Sequence, residues 1–389
     1  MLRSPEMRRM ADEFGIRQVA STVYECFQLH AAGQPGGIDP DEFSVAEMYQ
    51  SLVPDGHEAF RLLDPRFEAS ATEANVDTTL FAAITGQLVV TKILEGFKNG
   101  DYTFSKLIPN VPSPYLGGEK IPGMTQLGDT ATVVAEGQAY EASTFSQEYI
   151  ETPATTKRGR LVQITKEAVF ADRTRLILQR AGQVGEFLGL NKEKRLAKIA
   201  LGVTNNYRRN NVAVDTYQAA APWVNLHANV LGDWEDIETA EVLIGHVKDP
   251  NTNEPIGLSG NQMVVTRGKY RTAQRIVNAT EVRHEANGVR TDSNNPLRGQ
   301  YTVEFSDQMY EMLQSELALT SAQARDNWLY GNFSKAFGYM ENWPITTVQA
   351  PPDATLNFTN DIIAQYKASE RGEAAVLEPR YVQRNTHAA

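Results

Sequence analysis

The rhythm of apolar and polar positions changes several times along the chain. Phe14, Val19, Val23 and Phe27 recur near a helical period and predict a helix over "RRMADEFGIRQVASTVYECFQLH", which the Pro and Gly of "AAGQPGGIDPDEF" then break. "SVAEMYQSLV" predicts a short helix, with Ser44 as N-cap and Glu47 at capping-box spacing. "ATEANVDTTLFAAITGQLVVTKILEGF" predicts another, ending near Gly96 or Gly100. From Pro109 to Gly123 the prolines and glycines of "PNVPSPYLGGEKIPG" forbid a helix.

The next stretch has period two. "MTQLGDTATVVAEGQAYEASTFSQEYIETPATTKRGRLVQIT" is rich in Thr, Val and Tyr but sparse in large apolar residues, and reads as a long β-hairpin arm. Two strands alone are marginal in water. The arm is therefore expected to order only when something outside it supplies burial.

A helical rhythm follows at once. Asp172 is the expected N-cap, Ile177, Ala181, Val184, Leu188, Leu196 and Ile199 keep the period, and Gly202 suits the C-terminal end. One helix of roughly 30 residues would be about 45 Å long. Gly182, Gly185 and Gly189 lie inside it. Each costs on the order of 1 kcal/mol relative to alanine, so they predict either close approach of another backbone or a split near Gly189 and Asn191.

Residues 205 to 350 alternate strand and helix signals. Met263 to Thr266 reads as a strand and Tyr270 to Val277 as a helix, while "DWEDIETAEVLIGHV" reads as a helix starting at Asp233 or Asp236. "DNWLYGNFSKAFGYMENWPITTV" is aromatic and ends in strand-like sequence. Two closing strands are expected, Asp361 to Ser369 and Ala374 to Gln383, around a turn at Arg371–Gly372. The fold class is α+β.

Composition narrows the function. A chain of 389 residues with 41% apolar and 22% charged residues has room for two or three domains. The net charge of −11 argues against coating nucleic acid by bulk charge but leaves room for a local basic patch. Cys26 is the single cysteine, so no intrachain disulfide forms, and its apolar context reads as an inert thiol. The N-terminus lacks the apolar core of a signal peptide. The most apolar run, Leu80 to Leu94, is too short and polar to span a bilayer. A soluble, non-secreted protein with no membrane partner is expected.

Catalytic signatures are missing. The sequence has no G-x-G-x-x-G and no P-loop, and "GLSG" at Gly257 to Gly260 is not a nucleophile elbow. His30, His57, His227, His246, His284 and His387 are scattered without metal-ligand spacing. No enzyme activity, cofactor or metal is expected. What stands out is the basic cluster Arg158, Arg160, Lys166, Arg173 and Arg175 at the arm-to-helix junction. Its ordinary reading is a solvated face. Its functional reading is a contact for acidic groups of another subunit, such as Glu136, Glu141, Glu148 and Glu151 on the arm.

The order of elements resembles the major capsid proteins of tailed bacteriophages, with the HK97-like fold. The resemblance is carried by "YIETPATTKRGRLVQITKEAVFAD", whose "ITKEAVFAD" (Ile164 to Asp172) looks like that family's strand-to-helix junction. It is carried again by the closing "FTNDIIAQYKASERGEAAVLEPRYVQRN", with an Arg-Gly step and a proline-containing strand in "ERGEAAVLEPRYV". It covers roughly residues 76 to 389.

The resemblance implies a layout. Residues 1–75 form an N-terminal arm or helical region, 76–111 begin the peripheral domain, and 112–165 are the extended loop. Residues 166–204 are the spine helix, 205–350 the axial domain, 351–376 peripheral strands, and 377–389 a strand returning to the axial domain. It implies a virion shell protein assembled in the host cytoplasm. Its partners would be copies of itself in hexamers and pentamers, then decoration or cement proteins, portal and scaffold, and packaged double-stranded DNA held by weak non-specific contact. Some relatives cross-link subunits covalently. Lys120 on the arm and Asn357 or Asn360 would supply the parts here, but the expectation is a noncovalent shell. The alternatives are an encapsulin-like nanocompartment shell and a soluble α/β enzyme with an unrecognised site.

Overall fold

The computed structural model describes residues 4–40, 44–53, 55–62, 79–123, 134, 136–138, 148–203, 207–220, 223–249, 253–286, 289–350 and 361–386. The chain divides into two compact units, each assembled from three separated stretches.

The first unit comprises Met1–Asp101, Lys157–Asn191 and Trp343–Arg371. The first predicted helix is in fact two, Ser4–Phe14 and Ile16–Ala31, because Gly15 takes a left-handed φ of 86°. The break leaves Phe14 65% exposed, while Val19, Val23 and Phe27 are buried as their spacing predicts. These side chains share one core with Met48 and Leu52 of the helix Val45–Leu52, with Phe81, Leu88 and Ile93 of the helix Thr79–Asn99, and with Ile177 and Leu188. The N-terminal helices are thus part of the first unit's core, not an appendage to it. Cys26 is half-buried against the same core.

The long helix runs unbroken from Thr174 to Ala200, 27 residues with no split at Gly189. Its glycines explain part of its packing. A Cβ on Gly185 would lie 2.0 Å from Ile93 O, and one on Gly96 would lie 2.1 Å from Gly182 O. Helix Thr79–Asn99 therefore crosses the long helix backbone to backbone. Asp172 is not the N-cap of this helix. It sits outside it at φ 45°, and its carboxylate accepts from Thr174 Oγ1 at 2.7 Å, Ser44 Oγ at 2.9 Å and Ala46 N at 3.4 Å. Val45 N donates to Thr174 Oγ1 at 2.8 Å. Thr174 and Asp172 thus take Val45 N and Ala46 N, two of the orphan donors of the helix Val45–Leu52, from more than 120 residues away in sequence, while its N-cap Ser44 takes Glu47 N.

The second unit comprises Tyr102–Thr156, Lys192–Asn342 and Gly372–Ala389. Its five-stranded sheet has the order Thr302–Ser306, Gln262–Thr266, Trp328–Gly331, Val382–Thr386, Leu226–Ala228. The first two strands are parallel, with Val303 opposite Met263, and Trp328–Gly331 runs antiparallel to both its neighbours. Helix Trp234–Gly245 starts where the sequence predicts, with Asp233 and Asp236 forming a reciprocal capping box. Helix Arg267–Asn278 buries Ala273, Ile276 and Val277 in a core with Met263, Val265 and Trp328.

The closing strands differ from expectation. Ile362–Val376 is one continuous strand, and Arg371–Gly372 lies within it rather than in a turn. Gly372 is there because the Tyr339 ring occupies the place of a side chain: a Cβ would lie 2.6 Å from Tyr339 Cζ. The chain turns later, through Pro379–Tyr381, into the strand Val382–Thr386. The arrangement is α+β, with a hairpin base, a strand, the long helix, an α/β region and closing strands in the order read from the sequence. Among the described residues no helix is long and apolar enough to cross a membrane.

Candidate functional site

The base of the arm is built into the second unit. Lys120–Pro122 pairs antiparallel with Tyr149–Glu151, Ile121 opposite Ile150, and Arg208–Arg209 and Val212–Ala213 extend the sheet. Ile150 is buried and anchors it. Gly118 permits close approach here, since a Cβ would lie 2.2 Å from Thr152 O. Thr152 N donates to Glu119 O at 2.9 Å, and Glu119 N to Thr152 Oγ1 at 2.9 Å. Lys120 is satisfied within its own chain, 3.5 Å from Glu151 Oε1 and 4.5 Å from the centre of the Tyr149 ring.

Glu148, one residue before this strand, is not on the surface. Its side chain is 3% exposed and accepts from Arg209 Nε, with Arg380 Nη2 at 3.5 Å. Arg380 is fully buried and donates to Glu378 through Nε at 2.7 Å and Nη2 at 2.8 Å. Burial alone disfavours the charged guanidinium, but the bonds it donates to Glu378 and the charges of Glu378, Glu148 and Asp249 outweigh it and raise the Arg380 pKa. Arg209 also lies 4.9 Å from the centre of the Trp223 ring. Glu148 and Glu378 hold the guanidiniums of Arg209 and Arg380 in a buried cluster at the arm's foot, and the buried Asp249 adds a further negative charge near Arg380. Sequence reasoning missed Arg209, Glu378 and Arg380 because only long-range pairing brings them together. Glu148 is corrected from a candidate for another subunit to a structural member of this cluster.

The basic junction comes apart on inspection. Lys166 is committed inside the first unit: its N donates to Asp361 O at 2.8 Å and its Nζ lies 3.0 Å from Asp361 Oδ1. Arg158 is half-buried, and Arg160, Arg173 and Arg175 are exposed. The Arg160 guanidinium lies 5.8 Å from the centre of the Phe187 ring. Phe187 is 49% exposed, so Arg160 has an apolar neighbour at the surface, and Leu161 is 58% exposed. Strand Thr156–Thr165 is at the end of its sheet, with Val162 and Ile164 buried and Arg160, Leu161 and Gln163 exposed; Arg160 lies on the face of Val162, and Leu161 and Gln163 on the other. Of the acidic candidates, Glu136 is exposed beside Gly137, whose φ is 85°, and Glu141 lies outside the described residues, as do Asn357 and Asn360. Among the described residues no cluster of His, Cys, Asp or Glu has the makings of a metal site.

Solved structures that resemble this chain are distant from it in sequence. That of Mycobacterium phage Ogopogo is 16% identical over 74% of this chain and 92% of its own, with a TM-score of 0.44. The capsid of cyanophage P-SCSP1u is 13% identical over 74% of this chain and 88% of its own, at 0.45. An encapsulin complex from Synechococcus elongatus is 11% identical over 72% of this chain and 85% of its own, at 0.39. Likenesses this loose carry no weight in the assignment. Among curated proteins, none matches the chain in sequence. The phage capsid protein family matches residues 148–385, more than half of the chain, and the chain belongs to that family.

Proposed function

We propose that copies of this chain form the hexamers and pentamers of an icosahedral shell that encloses double-stranded DNA, and that the arm of one subunit lies on the basic junction of the next. As a phage capsid protein, the chain is a structural component of the virion and not an enzyme. In this reading assembly takes place in the host cytoplasm, and portal, scaffold and decoration proteins are further partners.

The observation that supports the intersubunit contact is the outer surface of the first unit. Arg160 lies beside the exposed Phe187 there, and Arg173, Arg175 and Leu161 are exposed as well. Fully covering one large apolar side chain is worth about 1.5–3 kcal/mol, and an exposed ion pair only about 0.2–1 kcal/mol. Apolar burial therefore supplies most of the affinity and the arginines set the register against acidic residues such as Glu136 and Glu141. Lys120, held by Glu151, orients the arm where it leaves its own subunit.

Charge reversal tests the contact. Arg158→Glu with Arg160→Glu is expected to reduce assembly in sedimentation while the far-ultraviolet circular dichroism of the subunit stays unchanged. Normal assembly of the double variant would remove the junction from the interface. Loss of the dichroism signal would show that these residues act within one chain.

A further inference from the structure

In a chain of net charge −11, the helix Arg267–Asn278 carries Arg267, Lys269, Arg271 and Arg275 and no acidic residue. Its apolar side is spent on the core, through Ala273, Ile276 and Val277. Arg267, Arg271 and Arg275 are spaced by four, so they line one stripe with a rise of about 6 Å per step, and all three are exposed. The other exposed positions on the helix are Gly268 and Asn278, so no large apolar residue breaks the stripe.

The helix's cations are unequally engaged. Arg267 holds Asp307 through bonds of 2.6 and 3.0 Å. Lys269 turns to Leu231 O at 2.9 Å and lies 3.4 Å from Asp326. Arg271 bonds only the neutral Gln274, at 3.2 Å, and lies 5.8 Å from the centre of the Tyr270 ring. Among the described residues no carboxylate pairs with Arg271 or Arg275. Like charges at this spacing repel by a few tenths of a kcal/mol, which Asp307 offsets at the Arg267 end of the stripe only.

We propose that this stripe is the part of the subunit that touches the sugar–phosphate backbone of the packaged duplex. The proposal rests on the reading of the shell as a DNA container. Arginine forks match phosphate oxygens bidentately. Phosphate contacts carry no sequence information, as a container for an arbitrary sequence requires. A protein partner would favour an aromatic or aliphatic centre to the patch, whereas nucleic-acid interfaces are polar and positively charged. The exposed residues of this helix fit the second description.

The test is the salt dependence of binding between the unassembled subunit and a mixed-sequence duplex. Each phosphate neutralised contributes about −0.9 to the slope of log K against log salt. Arg271→Gln with Arg275→Gln is expected to make the slope shallower by about 1.8, and Arg271→Lys with Arg275→Lys to leave it near wild type. An unchanged slope in the Gln variant overturns the proposal. So does equal loss in the Gln and Lys variants, which would mean that charge is not the cause. Failure of the Gln variant to form shells, with its slope intact, overturns it in favour of an acidic surface on a second copy. Nuclease-protected DNA in wild-type particles is measured separately. Particles without it refute the container reading, while a stripe-dependent slope would still leave the phosphate site standing.

Discussion

Gly182 and Gly185 lie one turn apart in the same helix, and alanine at each is expected to shift stability in opposite directions. Inside a helix, glycine-to-alanine ordinarily gains about 1 kcal/mol. At Gly182 the added carbon has room, its nearest neighbour being Lys92 O at 3.9 Å, so that gain is kept. At Gly185 the carbon would lie 2.0 Å from Ile93 O and 2.8 Å from Phe97 N. Both are backbone atoms of a packed helix, so no side chain can rotate away. Ordinary contact begins near 3.4 Å, and the helices must part by more than 1 Å to reach it. Overpacking typically costs about 1–3 kcal/mol. A backbone-to-backbone clash belongs at the upper end, which leaves a net loss of about 2 kcal/mol after the propensity gain. At about 2–4 °C per kcal/mol for a domain of this size, Gly185→Ala should melt roughly 4–8 °C below wild type. Gly182→Ala should melt roughly 2–4 °C above it. Thermal unfolding of the unassembled subunit, followed by circular dichroism, reads both. A Gly185→Ala variant that melts at or above wild type would refute the packing argument, as would equal shifts of the same sign.

Glu148→Gln removes one carboxylate from beside Arg209 and the buried Arg380, leaving Glu378 and Asp249 to offset the two guanidiniums. Breaking a buried pair typically costs about 3–5 kcal/mol, so chemical denaturation should show a loss of that order, and a loss below 1 kcal/mol would mean that the cluster is not a balanced unit. Asp172→Ala removes an acceptor that serves Ala46 N and two hydroxyls. It should cost about 0.5–2 kcal/mol in the same assay, the range of a lost helix cap, and a neutral result would return Asp172 to the role of a plain surface turn. Boiled wild-type particles should run on denaturing gels as a single band near 43.1 kDa, since Lys120 is held by Glu151 and Tyr149 in its own subunit; a ladder of multimers would establish covalent linkage.

What the sequence made legible was local. The helix at Trp234 announced itself through Asp233 and Asp236, and the strand at Met263 through its run of buried β-formers. The long helix was legible from its period, and its glycines signalled a backbone crossing, although of the two glycines that could end the partner helix, Gly100 does so and Gly96 is the crossing point. The failures were long-range. Asp172 has the composition of an N-cap, but its carboxylate serves the helix that begins at Val45, beside that helix's own N-cap Ser44. Gly372 looked like a turn because glycine favours turns, and only the position of Tyr339 shows that it makes room for a ring in mid-strand. Glu148 resembled its acidic neighbours on the arm, and nothing near it in sequence revealed a partner at Arg380. Of the basic junction, Lys166 proved to be an internal tie to Asp361, whereas Arg160, Arg173 and Arg175 stayed on the surface.

Electron microscopy of material purified from cells that express the chain tests self-assembly most directly. Closed shells of uniform diameter, built from this 43.1 kDa subunit alone or with its packaged DNA, are the expected result. A population that remains monomeric at high protein concentration, with no closed particles in the images, would contradict it.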